Sequence, residues 1–99
     1  DEILTNDFFV VPNQYHLYPV YPNPFNPIAT IQYDIPEISY LSIEVFNVLG
    51  KRVAVLFNGT HHPGMHQIKW DGSNQPSGLY LIRMTSPKLN FIEKIMLVK

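Results

Sequence analysis

Ile28-Ala29-Thr30-Ile31-Gln32-Tyr33-Asp34-Ile35 is the stretch that decides how this chain folds. Ala29, Ile31, Tyr33 and Ile35 fall on one side of an extended backbone, and Thr30, Gln32 and Asp34 on the other. That is the period of two of a half-buried strand, not the 3.6 of a helix. The pattern repeats outward in both directions. In residues 41–47, Leu41, Ile43 and Val45 turn inward and Ser42 and Glu44 outward, and residues 47–50 (Asn-Val-Leu-Gly) read as a tight turn with Gly50 free to take a positive φ. Residues 52–57 form the next strand, ended by Asn58-Gly59 as a hairpin turn. His66, Ile68 and Trp70 share a face in the strand after it, closed by Asp71-Gly72. From Gly78, Tyr80, Ile82 and Met84 alternate with Leu79, Leu81, Arg83 and Thr85, and residues 91–98 are a last apolar strand. With residues 15–20 as a short opening strand, the chain has seven.

Seven short strands with turn residues at regular intervals specify an all-β, immunoglobulin-like antiparallel β-sandwich. The nine prolines fall between strands rather than in their centres. Candidate helical segments carry too many β-branched and aromatic residues and lack caps. Ninety-nine residues suffice for one domain, and an apolar fraction of 45% with 13% aromatics belongs to a folded chain, not a disordered one. Division into an extended apolar N-terminal arm or linker, residues 1–14, and a sandwich, residues 15–99, follows.

Charge and composition exclude several functions. Seven Lys and Arg against eight Asp and Glu give a net charge of -1, without the basic field that nucleic acid or an anionic membrane requires. No run of eighteen apolar residues is long enough to span a bilayer as a helix. No basic segment followed by an apolar one opens the chain, so an export signal is expected to have been removed already. The absence of cysteine excludes disulfides, thiolate metal sites and a cysteine nucleophile.

Chemistry-bearing constellations are weak. His61, His62 and His66 form an HHxxxH pattern near Asp71, but adjacent loop histidines point different ways and no supporting carboxylate cluster is evident. The expectation is a core histidine at 66 with solvated histidines at 61 and 62, no metal and no cofactor. Serines 39, 42, 73, 77 and 86 lie in turns or strand faces without a nucleophile elbow, and the carboxylates make no acid–base pair. Asp71-Gly72-Ser73-Asn74 lacks the alternating ligands of a calcium loop and is expected to be a turn. The chain is therefore expected not to be an enzyme. Tyr15, Tyr18, Tyr40 and Phe46 offer a sugar-stacking platform, an alternative reading as a carbohydrate-binding accessory domain, against cross-strand packing.

Two segments stand out. Tyr21-Pro22-Asn23-Pro24-Phe25-Asn26-Pro27 places three prolines in six residues, a corner stiff before any packing, with Phe25 as a plug for one end of the sandwich. The arm, in contrast to a polar linker, carries Leu4, Phe8, Phe9, Val10 and Val11, too apolar to stay in water. Residues 3–11 are expected to add a strand to a sheet edge, either of the same domain or of another copy. The second case makes the chain a self-assembling surface filament subunit.

The proline-rich stretch, followed by Thr30-Ile31-Gln32-Tyr33 and Pro36-Glu37, resembles the opening of the C-terminal sorting domains of substrates of the bacterial type IX secretion system. The likeness continues through Val45-Phe46-Asn47-Val48-Leu49-Gly50, Gly64-Met65-His66-Gln67-Ile68-Lys69-Trp70-Asp71-Gly72, Ser77-Gly78-Leu79-Tyr80 and the terminal Lys94-Ile95-Met96-Leu97-Val98-Lys99. It covers roughly residues 12–99. Flagellar hook-capping Ig-like domains share the middle of the pattern but not usually this ending. The resemblance implies an Ig-like domain appended to exported proteins, recognised by type IX outer-membrane translocon components and delivered through the periplasm to the cell surface or medium. It further implies that Lys94, Leu97, Val98 and Lys99 form the recognition element and that Gly64, Gly72 and Gly78 serve turns.

Overall fold

The computed structural model describes residues 2–4 and 10–99. Its strands are β1 (Glu2–Leu4), β2 (Val10–Pro12), β3 (His16–Leu17), β4 (Ile28–Ile35), β5 (Ser39–Asn47), β6 (Arg52–His61), β7 (Gly64–Asp71), β8 (Gly78–Thr85) and β9 (Asn90–Leu97). No helix occurs among the described residues. β3, β4 and β7 make one antiparallel sheet, and β6, β5, β8 and β9 a second. The seven strands expected from the sequence are these seven, and the fold is an all-β sandwich.

The alternation works as the sequence requires. Ile31 and Ile35 of β4, Ile43 of β5 and Ile82 of β8 are completely buried between the sheets. Burial of each is worth about 1.5–3 kcal/mol. Trp70 is buried on β7, in edge contact with Tyr80 at 5.2 Å between ring centres. On the outer face of the larger sheet Glu44 is also buried, covered by two guanidinium groups, Arg52 at 2.9 Å and Arg83 at 3.1 Å. The bond from Arg52, with that from Arg83, holds its carboxyl below the usual range. Arg83 also lies over the Phe46 ring, 4.6 Å from its centre. Asn47 closes the β5–β6 turn, its side-chain oxygen accepting from the N–H of Leu49 and of Lys51, both at 3.0 Å, while Gly50 takes φ +81°.

Two local expectations need correction. Asn58-Gly59 is not a turn: both residues lie within β6, paired with Ser42 and Leu41, and β6 runs on to His61 opposite Ser39. The Tyr40 hydroxyl donates to the Asn58 side chain at 2.8 Å across this extension. Cross-strand pairing thus overrides the local turn preference of Asn-Gly, and the chain turns instead at His62-Pro63, where it passes from one sheet to the other. The opening strand is cut to two residues because Pro19 lacks an N–H for the ladder. Pairing with β4 resumes beyond it, the Tyr21 and Thr30 N–H groups donating to each other's carbonyls at 3.1 and 2.7 Å.

In the arm, β1 and β2 pair with each other, Ile3 opposite Val11 and Leu4 opposite Val10, in a sheet separate from both others. Phe8 and Phe9 lie outside the described residues. β2 lies against β7 and β4, with Pro12 buried.

Candidate functional site at the end of the last strand

Residues 21–27 meet the end of β9 at one pole of the sandwich. The peptide bonds before Pro22, Pro24 and Pro27 are cis. Phe25 points inward, 1% exposed, its ring centre 5.5 Å from that of Trp70. Its backbone continues the sheet: the Phe25 N–H donates to the Met96 carbonyl at 2.8 Å and the Val98 N–H to the Phe25 carbonyl at 3.0 Å. Asn23 does the same with its side chain. Its Nδ2 donates to the Lys94 carbonyl at 3.1 Å and its Oδ1 accepts from the Met96 N–H at 3.0 Å, so a carboxamide stands where another strand's peptide group would. The loop therefore seals the second half of β9 against pairing with anything else.

Gly72 makes this closure possible. A β-carbon there would lie 3.2 Å from a Leu97 methyl and 3.3 Å from the Phe25 ring, tighter than side chains normally approach. Its N–H donates to the Pro27 carbonyl at 2.8 Å. Asp71 closes the adjoining turn by accepting from the Ser73 N–H at 2.9 Å and from the Ser73 hydroxyl, which hold its carboxyl below the usual range.

The four residues carried over for recognition divide sharply. Leu97 is completely buried against Phe25 and Gly72 and belongs to the core; a docking protein cannot reach it in the folded domain. Lys94, Val98 and Lys99 are exposed. Lys99 is held in place, its N–H donating to the Ser77 hydroxyl at 3.0 Å and its ammonium to the Ser73 carbonyl at 2.6 Å. Lys94 enters no ion pair with a described residue. Asn23, which positions Lys94 and Met96, gave no signal in the sequence beyond turn propensity.

At the opposite pole, His61 is not the solvated loop histidine expected. It ends β6, and its Nε2 lies 2.7 Å from the Tyr33 hydroxyl, with ring contacts to Phe57 at 4.6 Å and His66 at 4.0 Å. Burial first, then the charge of His66, lowers its pKa, and burial raises the pKa of Tyr33. His66 donates from Nε2 to the His62 carbonyl at 2.9 Å. No group of three or more metal-ligating side chains occurs among the described residues.

The aromatic platform also dissolves. Tyr18 follows β3 in the smaller sheet and donates to Asp34 at 2.5 Å, whereas Tyr40 and Phe46 lie on β5 in the larger one. Tyr15 and Tyr40 alone share a groove of about 290 Å³, with Glu37 and Lys88. Tyr15 bonds the Ser39 hydroxyl there.

The chain superposes on dimeric latent PorU from Porphyromonas gingivalis with a TM-score of 0.65 at 19% identity, over 88% of this chain and 9% of that one. It superposes on PorZ of the same organism, an essential bacterial surface component of its type-IX secretion system, with a TM-score of 0.55 at 21% identity, over 84% of this chain and 11% of that one. It thus spans about a tenth of either structure, and at these identities the likeness is one of fold. No curated protein matches the sequence. A family model does, the secretion system C-terminal sorting domain, over residues 19–99. That span takes in the proline loop, six of the seven strands of the sandwich and the basic end, and the chain belongs to this family.

Proposed function

We propose that this domain is a non-catalytic address tag, which carries an attached protein through the type IX translocon and presents Lys94, Val98 and Lys99 for recognition. The observation that carries the reading is the sealed end of β9. Recognition of a chain terminus by a folded partner is efficient when the terminus is already ordered, because no ordering cost is added on binding. Here Asn23 and Phe25 fix the strand, and Ser73 and Ser77 fix Lys99. The arm leaves from the other pole, where Asn13 and Gln14 line a groove with Pro36, Glu37 and Lys88. β4 separates the two ends by about 25 Å at 3.3 Å per residue. A cargo joined through the arm would sit clear of the recognition end.

The test is export of a reporter fused ahead of the chain in a type IX-competent host. Lys94→Glu with Lys99→Glu alters two exposed charges without touching the core. Surface delivery is expected to fall at least about tenfold, the equivalent of about 1.4 kcal/mol in binding, with reporter accumulating in the periplasm. Normal delivery of the doubly substituted, folded domain would reject these residues as the address.

A further inference from the structure

The outer face of the larger sheet has two unlike halves. Residues that point outward alternate along each strand with the buried ones, and the register sets them in rows across the strands. Toward the pole of His61 the rows are polar, with Ser42 opposite both Asn58 and Thr85, and Thr85 opposite Asn90. Toward the other pole they are not. Phe46 stands opposite Arg52 on one side and Leu81 on the other, and Leu81 opposite Lys94. In the next row Leu79 stands opposite Met96, both exposed, and Val48, one step past the end of β5, is 68% exposed. An outward sheet face is ordinarily solvated and polar, so an apolar half on it marks a surface that something covers.

The charges on this face are one-sided. Arg52, Arg83 and Lys94 against Glu44 leave it at +2, in a chain whose net charge is -1. Arg52 and Arg83 each give one N–H to Glu44. A guanidinium has five, so both keep donors for a second carboxylate. Arg52 and Lys94 bracket Phe46 and Leu81, about 14 Å apart at the usual spacing of strands. We propose that this half of the face docks an acidic protein surface, whose carboxylates meet Arg52, Arg83 and Lys94 around an apolar centre of Phe46, Leu79, Leu81 and Met96. An apolar centre within a charged rim, rich in aromatic, methionine and arginine side chains, is the composition of protein interfaces. A second copy does not fit, because two faces of +2 repel each other. A lipid layer fits poorly as well: Phe46 and Leu81 are half-buried, whereas binding to a bilayer requires apolar groups that enter it. The inference rests on the sorting reading, since Lys94 belongs to both, and it extends that site from the chain end across the sheet.

Leu79 allows a test that depends on the sign of charge. In the reporter-export assay, Leu79→Glu is expected to lower surface delivery at least about tenfold, while Leu79→Lys keeps it within about twofold of wild type. Lost packing alone would affect the two alike, and an equal loss in both overturns the acidic occupant. Asn90→Glu, on the polar half, should deliver normally; a loss as large as that of Leu79→Glu would overturn the placing of the site. Val48→Glu and Val48→Lys repeat the comparison at a more exposed side chain and decide it if the Leu79 variants do not fold. Normal delivery by folded Leu79→Glu protein, beside failure of the Lys94→Glu, Lys99→Glu protein, overturns this inference and leaves the sorting reading standing. A wild-type domain that delivers nothing removes both. The purified domain is expected not to float with vesicles of phosphatidylcholine and phosphatidylglycerol. Flotation that Leu79→Glu abolishes would put lipid in place of protein on this face and overturn the proposal.

Discussion

At one pole the two sheets are closed by Phe25, Trp70, Leu97 and the gap left by Gly72; at the other by Tyr33, His61 and His66. The first closure is apolar packing backed by backbone-like hydrogen bonds, and the tyrosine packed on it, Tyr80, has its pKa raised by burial. The second joins rings through polar atoms that change with pH. The contrast separates an end held by apolar contacts and main-chain bonds from an end held in part by a histidine whose pKa burial lowers. The exposed lysines carried over from the family pattern lie at the first.

The comparison breaks most directly if the apolar plug is not what holds its pole. Phe25→Ala removes a ring that is buried against Trp70, and Trp70→Ala removes the other half of the contact. Each is expected to cost about 3–5 kcal/mol, a large part of the stability of a domain this size. Urea unfolding followed by far-ultraviolet circular dichroism measures it. A loss below about 1 kcal/mol for either would mean that the loop is ornament and the pole is held elsewhere.

Asn23→Ala sharpens the comparison, because it leaves the plug and removes only the strand-like side chain. Two hydrogen bonds disappear, those to the Lys94 carbonyl and from the Met96 N–H. Both groups then meet water, so the expected cost is only about 0.5–2 kcal/mol. Hydrogen exchange at the Met96 amide should quicken while the amides of Ile43 and Ile82 keep their protection. Equal quickening at all three would show that Asn23 supports the whole sandwich rather than one edge.

How far the sequence carried differs between the poles for physical reasons. The strand faces were legible because burial imposes a period of two, and every inward residue of β4, β5 and β8 follows it. Phe25 was legible as a plug because three prolines leave its backbone few alternatives. Asn23 was not, since a carboxamide that completes a turn and one that completes a strand 71 residues away look alike in one dimension. Gly72 was read as a turn residue, whereas its constraint is the space Leu97 and Phe25 occupy, a three-dimensional fact. Asn58-Gly59 misled for the opposite reason. Its local preference is strong, but the cross-strand partners Ser42 and Leu41 are stronger, and His61 moved with it from loop to strand.

The smallest expected effect lies at that histidine. Burial and the neighbouring His66 lower the pKa of His61 in the folded chain, while in the unfolded chain it titrates near the ordinary histidine value. Below that value the unfolded chain therefore binds more protons than the folded one, and stability must fall as pH falls. The contribution is fully present above the ordinary histidine value. It is lost progressively as pH drops through the window between that value and the lowered one, and the slope then vanishes. The groups that face His61 are Tyr33 from β4, His66 from β7 and His62 beside it, with Phe57 on its own strand. None of these is a carboxylate that could offset its charge. A melting temperature followed from about pH 7.5 to about pH 5 should decline by a few degrees, and His61→Gln should flatten the decline while leaving the Asn23 and Phe25 effects untouched. A decline of the same size in the His61→Gln protein would assign it to other groups and remove the contrast between the poles.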